Sequence, residues 1–179
     1  MYPIWLITDT HFEHRAMIEF CGRPTDFTRR IVRAWQRDIK PDDLVIHLGD
    51  IGNAGRTPRP EVTVQPDINI AELPGRKVLV RGNHDKASYS WYLSHGWHCV
   101  CESMSIQAYG KRLLFSHKPQ PFRNDWDLNI HGHFHNCDFR KHEPQLAAIL
   151  TPQHLLYALE YDGYAPQLLR TFLHKRKII

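Results

Sequence analysis

Apolar residues fall in short, β-branched runs, and several of those runs end on a small polar cluster. Ile4-Trp5-Leu6-Ile7-Thr8, Leu44-Val45-Ile46-His47-Leu48 and Lys77-Val78-Leu79-Val80 each read as a buried strand. Residues 103–108 and 112–116 read as a hairpin turning at Tyr109-Gly110-Lys111. Residues 155–161 and 164–171 read as a second hairpin around Asp162-Gly163. The spacing changes over 28–39, where Ile31, Val32, Trp35 and Ile39 mark one side of a helix and Arg29, Arg33 and Arg37 an exposed stripe. Asp26 or Thr28 offers an N-cap, and Pro41 lies beyond the end. A second helix is expected over 87–95. Strands alternating with helices and then giving way to hairpins predict an α/β fold of mixed sheets covered by helices. The proline-rich stretch 53–74 reads as a long irregular loop beside whatever site the strands build.

Composition narrows the picture only a little. At 179 residues, with no repeat or linker, the chain predicts one domain over 1–179. A net charge of +4 is too mild to argue for nucleic acid. No apolar run approaches the ~18 residues of a membrane helix. The first residues lack the basic run of a signal peptide, and Cys21, Cys99, Cys101 and Cys137 form no Cys-x-x-Cys pair. A cytoplasmic protein with reduced thiols is the expectation. Thirteen histidines are the feature that composition leaves unexplained.

Much of that surplus sits in five clusters at or near predicted strand ends. They are Asp9-Thr10-His11, Gly49-Asp50, Gly82-Asn83-His84-Asp85, Ser116-His117 and Gly132-His133-Phe134-His135. Each offers oxygen or imidazole donors and none a thiolate. On an extended chain, residues i and i+2 share a side, so Asp9 with His11, and His133 with His135, could face a common centre. About seven such donors exceed the needs of one ion and suit two divalent ions sharing a carboxylate. Gly49, Gly82 and Gly132 precede donors, where a side chain would obstruct a sharp turn or a close approach.

In order and content the five clusters resemble the signature of the calcineurin-like metallophosphoesterases: Asp-x-His, Gly-Asp, Gly-Asn-His-Asp/Glu, a lone His, then Gly-His-x-His. The C-terminal stretch 157–166 also resembles the closing hairpin of small bacterial and phage members. The resemblance implies a four-layer α/β/β/α sandwich of two mixed sheets, with a dinuclear metal site at the strand ends. Asp9, His11 and His135 would hold one metal; Asn83, His117 and His133 would hold the other; Asp50 would bridge them. His84 would act as general acid, with Asp85 orienting its ring. The implied cofactors are two divalent ions, Mn²⁺ first, with Fe, Zn²⁺, Co²⁺ or Ni²⁺ as alternatives. A hydroxide bridging the metals would attack phosphorus in line, and an imidazole would protonate the departing alkoxide.

Neighbouring residues divide between this chemistry and ordinary structure. His14 and Arg81, with Asn83, are candidate substrate contacts. His14 and Arg15 read first as a solvated helix start, and Arg81 equally as a structural ion pair. His47 reads as a core histidine, and His131 as facing away from the centre. His95, His98, His142, His154 and His174 read as surface or structural. Phe12, Phe134 and Trp126 read as packing, and 175–177 as solvated charge. The second cluster continues Ile51-Gly52-Asn53 and lacks the Asp and Arg of the phosphoprotein phosphatases, and the chain has no room for a capping domain. The expected substrate is therefore a phosphodiester in an open site: a phosphorylated small molecule, a nucleotide or another diester, with no membrane partner. The alternatives are a phosphomonoesterase and a non-catalytic scaffold of the same fold. Retention of every donor argues against the scaffold.

Overall fold

In the computed structural model of the chain, residues 3–52, 69–137 and 142–179 are described. The strands expected within 4–8, 44–48, 77–80, 103–108 and 112–116 form, and they divide between two mixed sheets. In the first, β1 (Ile4–Ile7), β2 (Leu44–His47), β3 (Arg76–Val80) and β4 (Cys99–Cys101) run parallel, and β9 (Gln167–Leu168) joins antiparallel beside β1. In the second, β5 (Ser103–Ala108) and β6 (Lys111–Ser116) make the predicted hairpin. β7 (Leu128–His131) and β8 (His154–Leu156) extend it in parallel. Tyr109 and Gly110 both take positive φ, the conformation that a two-residue hairpin turn demands.

Helices cover the sheets. The α1 helix (Ala16–Cys21) follows the first cluster, as the helix-start reading of His14 and Arg15 anticipates. The α2 helix spans Phe27–Asp38 and buries Phe27, Ile31, Ala34 and Trp35 while Arg29, Arg33 and Arg37 stay exposed. Asp26 stands at its N-cap position, but its carboxylate accepts from Arg30 rather than capping the helix. The α3 helix (Tyr89–Ser94) is shorter than expected and begins at Ser88, whose hydroxyl accepts from the Trp91 amide. The short α4 (Pro144–Ala147) and α5 (Leu169–Lys175) complete the set. The fold is the expected α/β arrangement of two mixed sheets flanked by helices. Of the expected loop 53–74, residues 53–68 lie outside the described residues, and Ile70–Glu72 form a 3₁₀ turn.

The second hairpin does not form. β8 belongs to one sheet and β9 to the other, so residues 157–166 carry the chain between sheets. Tyr161, Asp162 and Tyr164 donate amides back to Ala158 and Leu159 as it turns. Asp162-Gly163 supplies the bend, but no strand pairs across it. From Leu169 onward Leu169, Phe172 and Leu173 are fully buried. Their spacing follows the 3.6-residue period of a helix, not the alternation of a strand.

The carboxyl ends of the parallel strands β1, β2, β3, β6 and β7 meet at one edge, and all five clusters sit there. That is where open parallel sheets place their ligand sites.

Candidate metal centre

The chain does not reach this edge in extended form. Asp9, His11, Asp50, His133 and His135 all have positive φ, five of the nine such non-glycine residues among those described. L-residues rarely adopt that conformation, and it concentrates where function requires a particular side-chain direction. Left-handed turns, not strand pleats, therefore direct these side chains, and they bring Asp9 and His11 into one group but divide His133 and His135 between two. Gly82 and Gly132 permit the approach of neighbouring loops. A Cβ on Gly82 would lie 2.5 Å from the Asp50 amide nitrogen, and one on Gly132 would collide with Thr8 Oγ1 and Asp9 Oδ2.

Two acid–imidazole groups result. In one, Asp9, His11 and His135 bring their donor atoms within 4.8 Å of one another, and in the other Asp50, His117 and His133 do the same. Asp50 joins them. Its Oδ2 lies 3.6 Å from His11 Nε2 and 3.3 Å from His117 Nε2, while Oδ1 accepts from the His84 amide. Asp9 is divided in the same way. Its Oδ2 accepts from Thr8 Oγ1 and the His133 amide, leaving Oδ1 facing His135 Nε2 at 3.4 Å. Asn83 Oδ1 lies 3.0 Å from His117 Nε2.

These donors fit divalent cations. Asp9 Oδ1 and His11 Nε2 are buried with no hydrogen-bond partner, an arrangement that costs free energy unless a ligand satisfies it. Burial lowers the His11 pKa to about 2 against the opposing pull of Asp50, so the ring is a neutral donor. Burial also opposes the charge on His117, but its hydrogen bond to Asp50 and the nearby Asp9 raise it to about 9. A proton held that firmly marks an excess of negative charge, and a cation binding there would displace it. In the third grouping of donors, Cys21, His135 and Glu160, the acid already has a cation, because the guanidinium of Arg23 pairs with Glu160 Oε1.

Around the donors, the expected residues divide. His84 stands at the open side, its side chain 54% exposed and its Nε2 3.9 Å from Asp50 Oδ2. His14 lies beside it, with ring centroids 6.1 Å apart, and its Nδ1 is 3.3 Å from His11 Nδ1. Asp85 does not orient the His84 ring. Its buried carboxylate accepts amides from Gly82, Asp50 and Ile51 and so fastens the second cluster to the third. Arg81 is also engaged elsewhere: it binds Glu102 and the Asp85 carbonyl and lies over the Tyr89 ring. These contacts are those of the ion-pair reading of Arg81.

His47 is a core histidine as read. Its Nδ1 accepts from the Gly49 amide, so Nε2 donates to Thr10 Oγ1, which donates to the Ile51 carbonyl. That chain ties the first cluster to the second. His131 is buried against Phe134 and His154, and His154 bridges the Thr151 amide and the Gln120 carbonyl. Burial holds His47 at about 3 and His131 at about 4. Both folded values lie below the 6.5 of a free imidazole, so the unfolded chain gains protons that the folded chain refuses as pH falls from 6.5. Stability of the metal-free protein should therefore decline between pH 6.5 and 4.5, by about 1.4 kcal/mol per pH unit for each ring. Urea unfolding in chelator across that window checks this; a flat midpoint would contradict it.

Three residues that matter here carry no motif. Arg23 is buried and donates to Glu160, to the Asp9 and Thr10 carbonyls, and lies 3.2 Å from His135 Nδ1. Glu160 meets that same nitrogen at 3.1 Å. Glu143 meets His133 Nε2 and is held by Lys118 Nζ at 2.8 Å. The signal for Glu160 was an acid closing the apolar run Leu155-Leu156-Tyr157-Ala158-Leu159; Arg23 and Glu143 gave none.

Two acid–imidazole groups, with Asp50 in reach of both, stand at the strand ends of a two-sheet sandwich, a donor set that suits two divalent ions. A family model, calcineurin-like phosphoesterase, matches residues 2–159, and the chain belongs to that family. Its members bind two divalent metals and hydrolyse phosphoesters. The chain is 28% identical over 147 residues to an uncharacterized protein of Methanocaldococcus jannaschii, covering 75% of this chain and 70% of that one. It is 25% identical over 167 residues to the gene 66 protein of Mycobacterium phage L5, covering 76% and 79%. A crystal structure of a protein of unknown function from Aquifex aeolicus superposes with a TM-score of 0.70 at 26% identity, covering all of both chains. No helix among the described residues is long and apolar enough to cross a membrane.

Proposed function

We propose that the chain is a phosphodiesterase whose Asp9, His11 and His135 hold one divalent ion and whose Asn83, His117 and His133 hold the other, with Asp50 between them. The position of Asp50 Oδ2, in reach of both His11 and His117, carries the dinuclear reading. The bound ions, Mn²⁺ in the first instance, would supply positive charge for the phosphate oxygens and lower the pKa of water toward neutrality. Asp9 and Asp50 set the local charge: two divalent cations against two carboxylates leave the centre near +2, which attracts a phosphate. Asn83 adds a neutral oxygen donor that leaves this charge intact. His84 lies at the open side and gives a proton to the alkoxide as the phosphorus–oxygen bond breaks. His14, beside His11 and His84, is placed to contact the phosphate. Asp85 acts through the backbone by keeping the Asp50 and Asn83 loops together.

Exposure of His84 favours a diester, because both ester arms can leave the site into solvent. The free thiols Cys21, Cys99, Cys101 and Cys137 suit a cytoplasmic setting. The test is turnover of bis(p-nitrophenyl) phosphate against p-nitrophenyl phosphate with added Mn²⁺. Faster turnover of the diester is expected. Preference for the monoester would favour the phosphomonoesterase reading, and no turnover of either with any divalent metal would favour a scaffold.

A further inference from the structure

The two imidazoles of the Gly132-His133-Phe134-His135 cluster face the centre through different nitrogens. His135 turns Nε2 toward Asp9 Oδ1 at 3.4 Å and Nδ1 outward to Glu160 at 3.1 Å. His133 does the reverse. Its Nδ1 lies 3.1 Å from His117 Nε2 inside the centre, and its Nε2 meets Glu143 outside it. Each ring is thus backed by one carboxylate, and the two carboxylates address opposite nitrogens.

Donor counting fixes which atoms carry the protons. Arg23 Nη2 also lies near His135 Nδ1, but it already donates to the Asp9 carbonyl at 2.8 Å and pairs with Glu160 Oε1 at 2.7 Å. His135 Nδ1 meets the Glu160 carboxylate at 3.1 Å, and a carboxylate can only accept, so the ring proton sits on Nδ1 and is donated to Glu160. His133 Nε2 likewise donates to Glu143. The lone pairs then remain on His135 Nε2 and His133 Nδ1, both facing inward. Each backing acid also has its own cation, Arg23 for Glu160 and Lys118 for Glu143, so the pairs hold the rings without altering the net charge of the centre.

We propose that Glu160, locked by Arg23, and Glu143, held by Lys118, are positioning residues that set His135 and His133 in opposite tautomers and present Nε2 of one and Nδ1 of the other to the two metals. This rests on the reading of both histidines as ligands. A carboxylate behind an imidazole fixes its tautomer and direction and strengthens it as a donor, and its loss commonly weakens metal affinity by about 10–100-fold. The pairing is one-to-one: Glu160 serves the ion held by Asp9, His11 and His135, and Glu143 the ion held by His117 and His133.

The experiment uses the full chain loaded with Zn²⁺, which is diamagnetic, and long-range ¹H–¹⁵N correlation of the histidine rings. His135 should be protonated at Nδ1 and coordinated through Nε2, and His133 the reverse. Glu160→Gln should weaken one of two Zn²⁺ equivalents by about 10–100-fold and spare the other, and Glu143→Gln should do the same for the other equivalent. Two rings coordinated in the same tautomer, or variants that bind both equivalents as the wild type does, would overturn the positioning roles while leaving the ligand reading intact. If neither ring responds to Zn²⁺, the ligand reading itself fails. Glu160→Gln leaves Arg23 buried without its full partner and could unfold; the wild-type spectrum and Glu143→Gln, at a half-buried position, decide the matter without it.

Discussion

Asp50→Asn is expected to lose stoichiometric metal at both positions and to reduce turnover by roughly three orders of magnitude or more. The substitution is nearly isosteric, and Oδ1 can still accept from the His84 amide. What changes is the second oxygen. Oδ2 lies between His11 and His117, where an amide nitrogen would present hydrogens to two imidazole nitrogens and to any cation. The centre would also lose one of its two buried negative charges. Asp9, with its Oδ2 held by Thr8 and the His133 amide, has only Oδ1 to offer and reaches His11 and His135, not His117. No neighbour can substitute. Metal content after gel filtration, read with diester turnover, checks the result; an Asp50→Asn variant that keeps two tightly bound ions would contradict the bridging role.

His84→Ala is expected to keep both metals and lose turnover in proportion to the basicity of the leaving group. The His84 side chain is half exposed, so its removal leaves no buried cavity, and the hydrogen bond that its backbone N–H donates to Asp50 Oδ1 does not depend on the ring. A positioned general acid typically contributes 10²–10⁴-fold, on the order of 3–5 kcal/mol in the barrier. That loss should be greatest for alkyl esters, whose alkoxides need a proton, and should nearly vanish for p-nitrophenolate, which leaves unaided. Rates for a series of aryl and alkyl diesters, plotted against leaving-group pKa, check it: the variant should show the steeper dependence. Parallel lines for the two proteins would rule out the acid role.

Much of the centre was legible because its donors are chemically constrained and locally clustered. Carboxylate, imidazole and amide are donors that suit such ions, and only glycine could stand at Gly82 beside the Asp50 amide. Spacing within a cluster survives folding, so Asp-x-His and Gly-His-x-His could be read from the chain even though the backbone there proved left-handed and not extended. The supporting residues were not legible for the opposite reason. Arg23 and Glu160 stand 137 positions apart and are joined only when α1 and the crossing segment close behind His135. Nothing local distinguishes Arg23 from a surface charge, and Glu160 shows only as an acid closing an apolar run.

Asp85 shows a subtler limit. The cluster Gly82-Asn83-His84-Asp85 suggests a carboxylate beside a histidine, yet the turn sends the carboxylate inward to three backbone amides. Sequence proximity put the residue in the centre but not its side chain beside the ring. The C-terminal segment failed likewise, since Asp162-Gly163 marks a bend but not what the bend joins. Helical spacing at Leu169, Phe172 and Leu173 held the better information.

The central claim is that one carboxylate joins two metals into a single hydrolytic centre. The most direct measurement adds Mn²⁺ to chelator-treated protein while recording bound metal and diester turnover together. Two equivalents should bind, with turnover small at the first and rising as the second fills. Full activity without metal, or a plateau at one bound ion with maximal turnover, would contradict the account.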